Sequence, residues 1–202
     1  MEKPKAGRSA RSSRLSAERE GEGRDRRFRV PPPLTRGQEP FEGAEILEEI
    51  PTELGGLLWN SLRNVTLWAR AVGENPSQLF AEGAAERRLE DLGRMEIPQG
   101  LSRALYAIAA LLKDPGHADA DEVAKACRTI AAWASREGCL GTAVAYLQAA
   151  VLVRPTDAAA AYEVGRLTRK RAEGPRAETW FHYAINQGRR TGDWESYALS
   201  YV

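Results

Sequence analysis

Apolar and small residues in the second half of the chain fall at helical spacing, and the pattern then recurs. Cys127, Ile130, Ala131 and Ala134 share one helix face, and Ala143, Leu147 and Ala150 share the next, before Pro155. The skeleton returns 34 positions on as Ala161, Val164, Gly165 and Thr168, followed by Ala177, Phe181 and Ala184. It starts a third time, 33 positions further, as Trp194, Tyr197, Ala198 and Tyr201. A period near 34 with small residues at matched places predicts a helix–turn–helix repeat. Punctuation sets the boundaries. Asp121 is the expected cap of a helix to about Arg136, which Gly138 ends. Leu140–Val153 is its partner. Ala158–Arg171 and Pro175–Gly188 form the second pair around a Gly174-Pro175 turn, and Gly192-Asp193 opens the last helix.

The pattern ahead of the repeats is helical too. A short helix is expected around Ile46 and Leu47. A longer one should run from about Thr52 to Val72, with Leu54, Leu58, Leu62, Val65, Ala69 and Val72 on one face. Leu57, Trp59 and Trp68 widen that stripe enough to predict packing on two sides, and Gly55-Gly56 either weakens the helix locally, by about 1 kcal/mol per Gly relative to Ala, or allows close approach of a neighbour. Glu74-Asn75-Pro76-Ser77 reads as a stop and restart. Helices over Gln78–Met95 and Pro98–Lys113 follow, as a hairpin that is either a degenerate repeat or a cap on the stack.

The repeated stretch resembles the tetratricopeptide repeat family, over roughly its last 80 residues. The second copy carries the pattern best, through Val164-Gly165, Ala177 and Phe181. The first keeps Ala131, Ala143, Ala150 and Pro155 but has Cys127 in place of an aromatic. The third keeps Trp194 and Tyr201. The resemblance implies an all-α fold, a right-handed superhelical stack of antiparallel helix pairs. Its parts are a disordered basic tail over 1–43, a helical region over 44–116, and about two and a half repeats over 121–202. It also implies that the first helix of each pair lines a groove for a peptide. The exposed inner positions carried over by spacing are Lys125, Arg128, Ala132 and Ser135, then Ala159, Tyr162, Arg166 and Arg169. Lys125, Arg128, Arg166 and Arg169 make that face basic, with Tyr162 as a packing contact, which favours an acidic peptide or protein partner. The family's carboxylate clamp of Lys and Asn is not reproduced, since Ala132, Glu163 and Gly192 stand at its positions.

Composition and charge narrow the function further. The net charge of +1 exerts no overall pull toward nucleic acid or membrane. The charge is uneven, with eleven Lys/Arg against five Asp/Glu in Met1–Arg36. That stretch is poor in apolar residues and is expected to be disordered, and Pro31-Pro32-Pro33 favours a stiff extended conformation. The longest apolar run, Leu105–Leu112, is far short of a membrane span, and the basic N-terminus lacks the apolar core of a signal peptide. Cys127 and Cys139 have no metal-type spacing and suit reduced thiols in a cytoplasmic protein. His117 and His182 have no ligand-spaced companions. No phosphate loop or nucleophile signature occurs, so neither metal, cofactor nor catalysis is expected.

The expected function is therefore a non-catalytic scaffold or adaptor that binds a peptide or protein in its groove. The alternative is a regulator whose basic tail touches nucleic acid by charge alone. The bare apolar face of the last helix predicts either a chain cut from a longer array or self-association through that helix.

Overall fold

The helical spacing is realised throughout a computed structural model that describes residues 43–71 and 79–201, and no strand occurs among them. The helices are α1 Gly43–Glu49, α2 Glu53–Arg70, α3 Ala84–Arg94, α4 Gln99–Lys113, α5 Ala120–Arg136, α6 Leu140–Val153, α7 Ala158–Lys170, α8 Gly174–Thr191 and α9 Trp194–Leu199. The tail expected over 1–43 falls, except for Gly43, outside the described residues. So does the Glu74–Ser77 restart signal.

Two boundaries differ from expectation for identifiable reasons. The helix expected from Gln78 begins at Ala84, because Gly83 is left-handed (φ 72°) and a helix cannot run through it. The cap of α5 is Asp119, which accepts a hydrogen bond from the Asp121 amide at 2.8 Å. Asp121 itself lies in the first turn and pairs with Arg154.

From α3 onward each helix packs on the next, so α3–α4, α5–α6 and α7–α8 form successive hairpins. The matched small residues are core. Cys127, Ile130, Ala131 and Ala134 are buried on α5, as are Ala161, Val164, Gly165 and Thr168 on α7, with Ala143 and Ala177 buried on their partners. Gly165 shows the requirement at its sharpest, since a Cβ there would sit 2.7 Å from the Phe181 ring of α8. Phe181 thus packs inside its own hairpin, on Gly165.

Helix α6 is the hub. Every residue from Gly141 to Val151 is buried, because α5, α7, α1 and α2 surround it. A helix apolar on all sides has no other place in a folded chain. The broad stripe on α2 packs against α1, α4 and α6, and the Tyr146 hydroxyl of α6 donates to the Leu58 carbonyl of α2 at 2.7 Å. Gly55 allows the α1–α2 connection to fold back, as a Cβ there would overlap the Ile50 carbonyl oxygen at 1.9 Å.

Candidate partner-binding face

The five singled-out side chains lie on α5 and α7 and divide into two clusters. The first surrounds the N-termini of those helices. Arg128 donates from Nη1 to Asp157 Oδ2 at 2.7 Å, while Asp157 Oδ1 accepts from the Ala160 amide at 2.9 Å and so caps α7. One carboxylate therefore starts α7 and ties it to α5. Lys125 lies 3.6 Å from Glu122, and Arg154 pairs with Asp121. These residues, with Thr156 and Asp193, border a hollow of about 380 Å³. Asp121, Glu122, Asp157 and Asp193 face Lys125, Arg128 and Arg154 around it, so its rim carries one more acidic than basic group and lacks the net positive charge expected of this face.

The second cluster is a stripe at positions i, i+4 and i+7 of α7. Tyr162 meets Phe181 with ring centroids 5.9 Å apart and planes tilted by 45°. The Arg169 guanidinium stands 5.4 Å from the centre of the same ring, within cation–π range. Between them Arg166 reaches Glu163, with Nε 3.0 Å from Oε1 and Nη2 2.6 Å from Oε2. The Glu163 hydrogen bonds hold the Arg166 guanidinium above its already high pKa. Phe181 was not among the sequence's candidates for this face, and it is the ring on which Tyr162 and Arg169 converge.

Sequence spacing also missed the acidic partners. Glu122–Lys125 and Glu163–Arg166 are i,i+3 neighbours on their helices, a signal available in the bare sequence. The reach of Asp157 to Arg128, 29 residues away, depends on how α7 sits beside α5.

Reactive groups are sparse near this face. Cys127 is fully buried, and burial pushes its thiol up to about 12, which removes it as a nucleophile. Cys139 is raised as well, by partial burial and then by Glu49 and Glu137. Among the described residues no group of three or more His, Cys, Asp or Glu side chains could hold a metal ion, and no helix is long and apolar enough to cross a membrane. A larger hollow of about 550 Å³ lies away from all five candidates. Asn64, Phe80, Arg87, Arg88 and Arg94 are among the residues that line it, on and around α2 and α3. Comparison of the chain with protein-family models, with curated proteins and with solved structures finds no match.

Proposed function

We propose that this chain is a non-catalytic interaction module of the tetratricopeptide kind, whose helix pairs wind as a right-handed superhelix and receive a peptide or protein across α5 and α7. The observation that carries this reading is the half-exposed Tyr162–Phe181–Arg169 cluster. Aromatic and Arg side chains dominate binding hot spots, because they bury large rigid surfaces and still present polar edges. Here the rings and the guanidinium are held against one another before any partner arrives, which lowers the ordering cost of binding.

The acid–base pairs around the cluster qualify how an acidic partner is read. An exposed pair of this kind contributes only ~0.2–1 kcal/mol, so a partner's carboxylate can replace Glu163 on Arg166 at small cost, whereas Asp157 also caps α7 and stays in place. The charge balance provides no long-range steering. Affinity then comes from the aromatic–Arg contact, with carboxylate exchange setting orientation.

The test is affinity capture from the native cell with the wild-type chain and with a variant carrying both Arg166→Glu and Arg169→Glu. Wild type should retain a defined protein that the variant loses, with the helical circular dichroism of the two identical. Equal capture by both overturns the reading.

A further inference from the structure

Helix α9 is built inside out. Its two serines face the protein, with Ser196 and Ser200 buried, and Ser200 donates to the Ser196 carbonyl at 2.7 Å. Trp194 and Tyr201 face solvent, 63 % and 65 % exposed, and Tyr197 between them is half-buried. The cause is a close approach of backbones. Gly188 of α8 leaves room for α9, and a Cβ there would sit 2.8 Å from the Asp193 carbonyl oxygen and 3.1 Å from Tyr197 Cβ. Little room is left between helices that close, so Trp194 and Tyr201 are turned outward and the Tyr197 ring runs out from the contact to join them.

Outward they form an ordered ladder. Trp194 and Tyr197 pack edge to face with centroids 5.6 Å apart, and Tyr197 and Tyr201 do the same at 5.2 Å. The Tyr201 hydroxyl donates to that of Tyr197 at 3.4 Å. Edge-to-face rings set each ring face at a steep angle to the next, 83° and 70° here.

The geometry points to this ladder as a docking site for a polyproline-II segment, supplied by the chain's own Val30–Leu34. Three considerations select that occupant. A polyproline-II strand rises ~3.1 Å per residue, so Pro31-Pro32-Pro33 with a flanking residue matches two successive ring spacings. Proline rings are flat apolar surfaces that pack on aromatic ones, and a run of prolines loses little entropy on binding because polyproline II is preformed. The tether also reaches. Eight residues lie between Leu34 and Gly43, nine Cα–Cα steps or about 30 Å of extended chain. Glu45 of α1 pairs with Arg171 in the α7–α8 connection, and α9 packs on both α7 and α8. Helix α7 has 13 residues, ~20 Å, so its whole length lies within that reach. A second copy fits less well. Two ladders meeting face to face would bring together the Arg189 charges that stand beside Tyr201.

Docking in cis occupies a surface distinct from the α5–α7 face, and its test does not depend on the partner proposed above. The indole N–H resonance of Trp194, identified by its loss in Trp194→Phe, is followed in the full-length chain and in a variant carrying Pro31→Ser, Pro32→Ser and Pro33→Ser. These substitutions lie outside the described helical core, residues 43–71 and 79–201, so the indole resonances of Trp59, Trp68, Trp133 and Trp180 should be unchanged and report the intact fold. The Trp194 resonance should shift between the two proteins and stay independent of protein concentration in both. A synthetic peptide of residues 28–36, added to the serine variant, should move it back toward the wild-type position. An unshifted Trp194 resonance overturns the proposal. So does one that moves with protein concentration in the serine variant, which identifies a second copy as the occupant.

Discussion

At the scale of single residues, matched positions in the two hairpins differ in a way that has an energetic consequence. Gly138 and Ala172, 34 residues apart, both end a first helix in the left-handed conformation, at φ 82° and 61°. The hydrogen bonds agree as well. The Cys139 amide donates to the Ala134 carbonyl at 2.9 Å and the Glu173 amide to the Thr168 carbonyl at 3.2 Å, the closing bond of a Schellman turn in each case. Glycine adopts that conformation freely, while an alanine there is strained by ~1 kcal/mol or more. The Ala172 methyl is exposed and contributes no packing. Ala172→Gly should therefore raise stability by about 0.5–1 kcal/mol, after the added freedom of the unfolded chain is subtracted, and Gly138→Ala should lower it by about 1 kcal/mol. Urea midpoints of the two variants should move in opposite directions, and a loss of stability in Ala172→Gly would contradict this account.

At the scale of elements, legibility in the sequence followed the distance over which each cause acts. Helices α4 to α8 were read within a few residues of their bounds, because their signals are local: apolar spacing, Gly138, and Pro175 in a first turn. The start of α3 was missed because the left-handed Gly83 outweighed an apolar pattern that continued through Leu79 and Phe80. Trp194 was placed in register with buried Cys127 and Ala161, yet it is exposed. Helix α8 has 18 residues where α6 has 14, so α9 begins later than a strict repeat demands. The caps show the slip, since Asp157 and Asp193, 36 apart, each accept from the amide three residues on. The candidate site was legible as a set of positions but not as a charge pattern, because Asp157 and Phe181 come to it from outside the α5 and α7 stripes.

The most distant contact of this kind caps the hub helix. Cys139, at the N-cap of α6, makes no side-chain capping bond. The Glu49 carboxylate from α1 does the work instead, accepting from the Gly141 amide, the Thr142 amide and the Thr142 hydroxyl, each at 2.7 Å. Free amides at a helix start attract a carboxylate, and here it also fixes a seven-residue helix too short to persist alone. Glu49→Ala would leave those donors without their acceptor beneath α1, at a cost of about 2–3 kcal/mol, and Glu49→Gln, which keeps one acceptor, should cost less. Hydrogen exchange at the Ile46 and Leu47 amides should rise in Glu49→Ala, while exchange in the α7–α8 hairpin changes only by the global amount. Unchanged protection of α1 would mean that Ile46 packing alone holds it.

At the scale of the whole molecule, buried hydroxyls and one buried thiol join the parts, and their chemistry fixes a pH limit. The Tyr146 hydroxyl links α6 to α2, and that of Tyr183 links α8 to the Pro155 carbonyl at 2.7 Å. Cys127 lies fully buried on α5. Burial disfavours the anion of each, so the thiol is pushed up to about 12 and both phenols are raised above their ordinary value. In the unfolded chain the thiol titrates near ~8.5 and the phenols near ~10. Between those values and the folded ones the unfolded chain holds fewer protons than the native protein, so stability falls as pH rises. All of the stability should be present below about pH 8.5. The loss begins as the unfolded thiol ionises, steepens above about pH 10 as the two phenols join, and is complete for the thiol at about 12. Each fully coupled group removes ~1.4 kcal/mol per pH unit within its window. Urea unfolding at intervals from pH 7 to 11 should show a level region followed by a steepening decline. Cys127→Ala should flatten the part between pH 9 and 10 without altering the steeper limb above it. A midpoint that stays level to pH 11 would show that these groups ionise in place, and that the junctions between α2, α6 and α8 open to water without unfolding the chain.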